Sequence, residues 1–590
     1  MCISNTSSCT AWETYATTRA WTLTTGDGTK TVYVWYKDGA GNISTLYSDT
    51  IILDTTAPTN GTLSATAGNA QISLSWSGFS DATSGIGSYK LVYSTGGYPN
   101  ASCTSGNQIY SGTNTSYTHT TLTNGTTYYY RVCAIDNAQN TSLGITANAT
   151  PAGTQSSWSM STGSPGDDRG QAVAVDDSGN VVMTGYFSGV VDFGGGALNS
   201  NAYPWADPNQ ITDVFVVKYL ATGEHLWSRR IGGVANDRGL SIAVDSSGDV
   251  VVSGYCANPV DFGNGVPVSG STGTDIFVAK YSGASGGYMW AKRFGGESDD
   301  YGYGVAVAAN GDIFITGQFQ GTVDFGGGPL GSAGSSDIFI AKYTATGAYV
   351  WAKRIGGIGS EYGYGIAVDN SGDVIIIGRF SGTLDLGGGA VTCAGGYDSF
   401  IAKYSGANGG YQWSRVFGST GYDYANGVAV DGSGNVLVTG QFQGTVNFGG
   451  SALMSAGSYD IFTAKYSGLT GSHVWSKRFG STSSDYGNGI AIDEVGNVIM
   501  TGAFYGTVDF GGGPLVSSGL DVVVAKYTSS GSHMWSEKFG GAINQFGDDV
   551  AVNGGSNIAV TGYFENVIDF GYGTHTSVGS YDIFLSTLEP

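Results

Sequence analysis

Residues 290–343 read WAKRFGGESDDYGYGVAVAANGDIFITGQFQGTVDFGGGPLGSAGSSDIFIAKY, and related copies of this stretch fill the chain from about residue 158 to its end. Each copy opens with a tryptophan, and successive tryptophans lie 60 to 69 residues apart. The seven tryptophans are Trp158, Trp227, Trp290, Trp351, Trp413, Trp475 and Trp535. A fixed internal period indicates a repeat architecture and overrides the domain count that 590 residues would otherwise suggest.

Four strand-like runs make up the third copy, and we call them strands a, b, c and d. They read GVAV (304–307), DIFITGQF (312–319), DIFIAKY (337–343) and YVWAKRI (349–355). Strand a carries small residues while strands c and d carry Phe, Tyr and Trp, which predicts a wedge-shaped sheet whose narrow edge faces a shared axis. Seven such four-stranded sheets make an all-β fold, a seven-bladed β-propeller.

The repeats begin and end out of phase. SSWSM (156–160) is a d-type strand without its own a, b and c, and YDIFLSTL (581–588) contains a c-type strand without a following d. We therefore expect the strand near Trp158 to join the C-terminal blade and close the ring, because a linear solenoid would need caps instead. The repeats resemble the bacterial SBBP-type seven-bladed β-propeller repeats, and this resemblance extends over residues 153–590.

Two shorter β-rich segments precede the repeats. Residues 1–54 end in strand-like runs and resemble the C-terminal half of a bacterial immunoglobulin-like domain. In residues 55–152, Leu122 stands six residues before Tyr128, and Trp76 ends an alternating run. These features resemble the tyrosine corner and the core tryptophan of a fibronectin type III domain, which implies a β-sandwich. Modules of this kind are usually spacers or adhesive units.

Charge and cysteine content point to a secreted setting. The formal net charge of -22 opposes binding to nucleic acid, and no run of 18 apolar residues predicts a membrane span. Cys103 could pair with Cys133, and Cys2 with Cys9, which would fit an oxidising, extracellular or cell-surface location. The first ten residues lack the basic start and apolar core of an export signal, so we expect the chain to be part of a longer protein.

An acidic residue stands just before strand a in six of the copies. These residues are Asp168, Asp237, Asp300, Glu361, Asp423 and Asp485. Because strand a is innermost, they are expected to ring one mouth of the central channel, where mutual repulsion would raise their pKa values and a calcium ion could bind. Two other interpretations are that each caps turn amides, or pairs with a strand d cation such as Arg293 or Arg354. No cofactor is required.

Aromatic residues accompany these acids on the face that carries the long b–c connections. They are Tyr301, Tyr303, Tyr362, Tyr364, Tyr424 and Tyr486, with Trp205 in an insertion unique to one copy. Aromatic rings beside carboxylates suit sugar stacking or protein contact, which makes this face the candidate ligand site. Packing between neighbouring blades accounts for the tyrosines equally well.

Two further motifs recur at fixed places, and both are interpreted as structural. Asp-x-x-Gly-Asn/Asp joins strands a and b and is typical of a hairpin turn. Asp-Phe-Gly-Gly follows strand b, and its repetition in each copy favours a turn with a buried Phe anchor. We find no Ser/His/Asp or Cys/His grouping, so no catalytic residues are predicted.

Three functions remain open at this point. The favoured one is an extracellular or cell-surface bacterial scaffold for adhesion, which binds a glycan or a surface protein through the long-loop face. The second is a carbohydrate-active enzyme, a lyase or hydrolase, on the same scaffold. The third is a structural subunit of a surface layer or appendage.

Overall fold

The computed structural model describes residues 1–68, 71–120, 122, 126–151, 158–200, 207–257, 259–270, 272–553, 557–571 and 573–588. Their contacts divide the chain into two units, Met1–Thr154 and Gln155–Pro590. Within the described residues the secondary structure is β throughout, apart from two short 3-10 turns at Ala101–Cys103 and Pro208–Gln210. The sequence-based expectation of an all-β chain is confirmed.

The second unit repeats one four-stranded antiparallel sheet with the order a-b-c-d. Strands a are Arg169–Val175, Arg238–Val244, Tyr301–Val307, Glu361–Val368, Tyr424–Val430, Tyr486–Ile492 and Gln545–Val552. Strands b are Val181–Ser188, Val250–Cys256, Ile313–Phe319, Val374–Phe380, Val436–Phe442, Val498–Phe504 and Ile558–Phe564. Strands c are Thr212–Tyr219, Asp275–Tyr281, Asp337–Tyr343, Asp398–Tyr404, Asp460–Tyr466, Asp521–Tyr527 and Asp582–Leu588. Strands d are Ser159–Thr162, His225–Gly233, Tyr288–Phe294, Tyr349–Ile355, Tyr411–Phe417, His473–Phe479 and His533–Phe539.

One of these sheets is built from both ends of the unit. Ser159–Thr162 pairs antiparallel with Asp582–Leu588, so the first strand d completes the sheet that the last a, b and c strands begin. The inner strands contact one another in sequence order, and Arg169–Val175 also contacts Gln545–Val552. Small residues are required where neighbouring inner strands approach each other. A Cβ added to Gly489 of strand Tyr486–Ile492, for example, would lie 2.8 Å from the Cα of Asp549 on the next inner strand.

Apolar side chains fill the space between neighbouring sheets. Strand b is buried along almost its whole length, since it has a sheet packed on each side. The cluster that contains Val173 and Phe215 of the first sheet also contains Ala559 and Leu585 of the last. Burial of these continuous apolar strands is the main source of stability in the unit.

Within the described residues a short hairpin occupies six of the seven b–c connections, where the Asp-Phe-Gly-Gly motif forms the turn. Paired hairpin strands are Val190–Asp192 with Ala197–Asn199, Thr322–Asp324 with Pro329–Gly331, Thr383–Asp385 with Ala390–Thr392, Thr445–Val446 with Leu453–Met454, Thr507–Asp509 with Pro514–Val516, and Val567–Asp569 with Thr574–Thr576. In the first sheet an extra strand, Val260–Asp261, pairs with the end of His225–Gly233. The motif's Asp caps turn amides and its Phe is buried, as at Asp192 and Phe193.

The first unit contains three smaller antiparallel sheets. One comprises Cys2–Ser4, Gly28–Trp35 and Tyr47–Leu53; the second comprises Thr62–Gly68, Gln71–Ser77 and Ser116–His119; the third comprises Ile145–Ala149, Tyr128–Asp136, Ile86–Ser94 and Asn107–Gly112. The second and third sheets share one apolar core, in which Trp76, Leu122 and Tyr128 are buried. Disulfides join Cys2 to Cys9 and Cys103 to Cys133.

Candidate functional site

Strand a of every sheet carries a β-bulge after its Gly or Ala, and the bulged residue differs from blade to blade. The seven bulged residues are Gln171, Leu240, Tyr303, Tyr364, Asn426, Asn488 and Asp548. A bulge sets one extra residue out of the ladder and redirects its side chain. All seven line a single cavity of about 260 Å³ between the inner strands, which we call the channel.

A second cavity of about 390 Å³ adjoins one side of the channel and is predominantly polar. Its lining residues are Gln171, Asn426, Tyr486, Asn488, Phe546, Asp548 and Tyr563. Hydrogen bonds across neighbouring sheets position the amides. Asn426 Nδ2 donates to the Gly487 carbonyl at 2.9 Å, and Asn488 Nδ2 donates to the Gly547 carbonyl at 3.0 Å. This side of the channel can therefore hydrogen-bond a ligand rich in hydroxyl groups.

Two adjacent carboxyl groups distinguish the last inner strand from the other six. Gln171 Nε2 donates to Asp548 Oδ2 at 2.5 Å, while Asp549 Oδ2 accepts the Val173 backbone N–H at 3.0 Å. Burial raises the pKa of Asp548 to about 8 and that of Asp549 to about 7, with the neighbouring Asp549 charge adding to the shift of Asp548. Both groups can therefore exchange protons near neutral pH.

Tyrosines crowd the opposite side of the channel. Tyr303 stacks on Tyr301 with ring centroids 5.9 Å apart and meets Tyr364 at 5.2 Å; Tyr364 stacks on Tyr362 at 6.0 Å. All four rings are half-buried, so part of each remains exposed. The structure thus brings these four predicted residues into one continuous aromatic surface, which we call the tyrosine arc.

Arg379 of strand b extends the tyrosine arc through cation–π contacts. Its guanidinium carbon lies 4.6 Å from the ring centroid of Tyr362, 4.5 Å from Tyr397 and 4.7 Å from Tyr424. Tyr486 lines the polar cavity and is connected to Tyr424 through Tyr459, whose ring centroid lies 6.2 Å from that of Tyr486 and 5.9 Å from that of Tyr424. Trp205 lies outside the described residues.

Three arginines that make cation–π contacts with tyrosines were missed by the sequence analysis. Arg169 lies over the ring of Tyr563 at 4.1 Å, and Arg238 lies over Tyr186 at the same distance. Both occupy the first position of strand a, where three other blades have Tyr301, Tyr424 and Tyr486; Arg379 belongs to strand b instead. A comparison of the copies position by position would have found the first two, since Arg replaces Tyr there.

The six acidic residues predicted beside strand a cap backbone N–H groups of nearby turns. Asp300, for example, accepts N–H bonds from Gly296 at 2.9 Å and Gln320 at 2.8 Å. Bonds of this kind are also made by Asp168, Asp237, Glu361, Asp423 and Asp485, and all six side chains are buried. Within the described part of the chain, no three of them lie close enough together to hold one metal ion. The structure thus favours turn capping over a ring of carboxylates at the mouth.

Burial explains the perturbed pKa values of these acids. It raises the pKa of Asp168 and of Asp300 to about 6 and that of Glu361 to about 7; a nearby strand c aspartate contributes less. The strand d cations pair with those strand c aspartates, as Arg293 does with Asp275 at 2.7 Å. Arg354 likewise pairs with Asp337 at 3.2 Å, and its charge partly offsets the rise in the pKa of Glu361.

Lysines of strand c explain the Asp-x-x-Gly-Asn/Asp turns. Lys403 Nζ lies 2.6 Å from Asp369 Oδ2, and Lys465 Nζ lies 2.8 Å from Asp431 Oδ2, with all four side chains buried. Lys403 also donates to the Gly468 carbonyl of the next blade at 3.1 Å. The turn aspartates are therefore ion-paired with lysines that connect neighbouring blades, and their role is structural.

Comparisons with known proteins point to the same repeat. The family described as SBBP, a β-propeller repeat, matches residues 412–441 and 474–502. The chain is a repeat β-propeller. The chain is 24% identical over 507 residues to the uncharacterized WD repeat-containing protein L264 of Acanthamoeba polyphaga mimivirus, a match that covers 69% of the chain and 36% of that protein.

Two other proteins are similar over different shares of the chain. Regulatory protein FlaEY of Caulobacter vibrioides is 29% identical over 174 residues, which cover 29% of the chain and 17% of that protein. The chain thus spans 36% and 17% of the two curated relatives. The solved quinohemoprotein alcohol dehydrogenase from Comamonas testosteroni matches with a TM-score of 0.36 and 11% identity, covering 73% of this chain and 76% of that one.

Proposed function

We propose that the chain is an extracellular or cell-surface bacterial protein that binds a glycan at the channel of a closed, seven-bladed propeller. The pairing of Ser159–Thr162 with Asp582–Leu588 supports closure, as does the contact between the first and last strands a. In this proposal the first unit supplies immunoglobulin-like and fibronectin type III-like modules that present the propeller. Its two disulfides suit an oxidising location.

The main support for ligand binding at the channel is the variation of the bulged residues. A purely structural position would be expected to keep one residue type through all copies, as the capping acids and the strand c lysines nearly do. The bulge position instead changes from Gln through Leu, Tyr and Asn to Asp around one cavity. Variation among residues that line one shared cavity is typical of positions that recognise a ligand.

The chemistry of the lining favours a sugar. Tyr303 and Tyr364 offer aromatic faces, on which the C–H face of a pyranose ring can stack. Across the channel, Asn488 and Asp548 offer hydrogen-bonding groups for its hydroxyls.

Among the described residues no helix is long and apolar enough to cross a membrane.

Glycan binding can be tested with the full chain on a glycan array, followed by calorimetry of any hit. Tyr303→Ala should weaken binding about tenfold or more, the scale of an aromatic hot spot, because it removes a stacking face. Tyr288→Ala is the matched control, since Tyr288 lies on the outermost strand d. Saturable binding that is insensitive to Tyr303→Ala, or that requires a protein partner in place of a sugar, contradicts the proposal.

A carbohydrate-active enzyme is the second candidate, and Asp548 with Asp549 favours it. Carboxyl groups with pKa values of about 8 and 7 could donate and accept protons during glycoside cleavage. An enzyme would release reducing ends or unsaturated products from a bound glycan, and Asp548→Asn would abolish that release. A pure binder would release neither product.

A further inference from the structure

Three aspartates meet in the first unit, far along the chain from the residues that the sequence analysis considered for calcium. Asp54 follows strand Tyr47–Leu53, Asp81 lies in a loop after Gln71–Ser77, and Asp136 ends strand Tyr128–Asp136. One carboxylate oxygen of each lies within 4.8 Å of those of the other two. Asp54 and Asp136 are buried, with relative exposures of 7% and 0%.

Local hydrogen bonds hold the three side chains, but within the described residues they leave one buried oxygen without a partner. Asp81 Oδ1 accepts the N–H groups of Thr83, Ser84 and Gly85 at 2.8 to 3.1 Å. Asp54 Oδ1 accepts the N–H of Thr56 at 3.1 Å, whereas Asp54 Oδ2 is buried and accepts no hydrogen bond within the described residues. A buried carboxylate oxygen without a partner is costly unless a cation binds it.

We propose that Asp54, Asp81 and Asp136 bind a calcium ion. All three donors are hard carboxylate oxygens, and no ion pair found in the described residues includes any of them. Calcium–oxygen distances of about 2.3 to 2.6 Å place two ligands of one ion up to about 5 Å apart, which accommodates this cluster. Magnesium demands shorter distances and near-octahedral geometry, so it fits less well.

The ion would connect parts of the first unit that are distant in sequence. Asp54 ends the segment of residues 1–54, while Asp81 and Asp136 belong to the segment that follows. Asn140 Nδ2 already bridges them, because it donates to the Asp54 carbonyl at 3.1 Å and to Asp136 Oδ2 at 2.9 Å. Calcium would replace carboxylate repulsion at this joint by three attractive contacts, which would stiffen it.

Calorimetry of the full chain, stripped with chelator and titrated with calcium chloride, tests the site. Asp81→Asn and Asp54→Asn are well-suited variants, since an Asn Oδ1 can keep each hydrogen bond that the Asp Oδ1 accepts. We expect one calcium ion per wild-type chain, and a dissociation constant at least about tenfold higher in each variant because a charged ligand is lost. Asp49→Asn, an exposed strand residue, should bind as wild type does, as should Asp548→Asn in the channel.

Several results would overturn the proposal. These are the absence of calcium binding at millimolar concentration, unchanged binding in both Asp54→Asn and Asp81→Asn, loss of binding in Asp548→Asn, and magnesium binding as tight as calcium binding. Circular dichroism of each variant distinguishes a lost site from a lost fold. If one variant unfolds, terbium luminescence is measured on the variant that remains folded. Terbium binding to that variant as strong as to wild type also contradicts the proposed site.

Discussion

Trp158 donates a hydrogen bond from its indole Nε1 to the carbonyl oxygen of Ala221, 3.1 Å away. The Trp158 backbone also exchanges hydrogen bonds with Thr587, since its N–H donates to Thr587 Oγ1 at 2.9 Å and its carbonyl accepts the Thr587 N–H at 2.8 Å. One residue therefore links the first c–d turn to the last strand of the unit. The same indole contact recurs at later blades, as from Trp413 to Gly468 at 3.0 Å.

Replacing Trp158 by Ala should destabilise the propeller. The change removes the indole hydrogen bond and the packing against Tyr219, whose ring centroid lies 5.6 Å away. We expect a loss of about 2 to 4 kcal/mol in the free energy of unfolding, near the range for buried aromatic truncation. Differential scanning calorimetry measures it, with the exposed Trp21→Ala in the first unit as the control. Equal effects of the two substitutions would argue against the role of Trp158 in joining the ends.

Replacing Lys403 by Met should cost more than removing the whole ion pair. The substitution leaves the Asp369 carboxylate buried beside an apolar side chain, for which about 3 to 5 kcal/mol is expected. Adding Asp369→Asn should recover much of that loss, since the amide oxygen can still accept the turn N–H bonds of Ser371 and Asp373. Chemical denaturation of the single and double variants tests this. A double variant no more stable than Lys403→Met would contradict it.

The strands were largely predictable because the repeat exposes their pattern many times. In the third copy, strand b is Ile313–Phe319, strand c is Asp337–Tyr343 and strand d is Tyr349–Ile355, as the alternation of apolar residues indicates. Strand a begins at Tyr301, three residues before the predicted GVAV run. Its bulge at Tyr303 breaks the two-residue period, so the pattern could not show the earlier part.

The site was less predictable because the position of a residue in the repeat does not tell whether its side chain is buried within the blade or faces the channel. Asp300 was expected at the channel mouth, but the d–a connection folds so that its carboxylate is buried and satisfied by two backbone amides. Tyr303 and Tyr364 were identified from their residue type and position alone. Asp548 was not predicted because the candidate residues were taken from features that recur among the copies, whereas the bulge position differs from copy to copy.

Removing the disulfide between Cys103 and Cys133 should destabilise the first unit without affecting the second. The bond closes a loop with a sequence separation of 30 residues, and both sulfur-bearing side chains are buried. A loop of this size is worth roughly 3 to 4 kcal/mol in the chain-entropy account. Cys103→Ala with Cys133→Ala should lower only the melting transition of the first unit in calorimetry. A shift of the propeller transition by the same amount would show that the assumed independence of the two transitions is wrong.

The stability of the propeller should fall as pH rises from 5 to 9. Burial raises the pKa of Asp548 to about 8 and of Asp549 to about 7, so the folded protein holds these protons more tightly than an unfolded chain, in which an Asp titrates near about 3.9. Their contribution is complete below the unfolded pKa and is lost as pH rises through the folded values. Asp548→Asn stays neutral throughout, so its melting temperature should fall less over this range than that of wild type. Asp177→Asn, in an exposed turn, should follow wild type. Parallel curves for wild type and Asp548→Asn would mean that Asp548 is already ionised in the folded protein at pH 5.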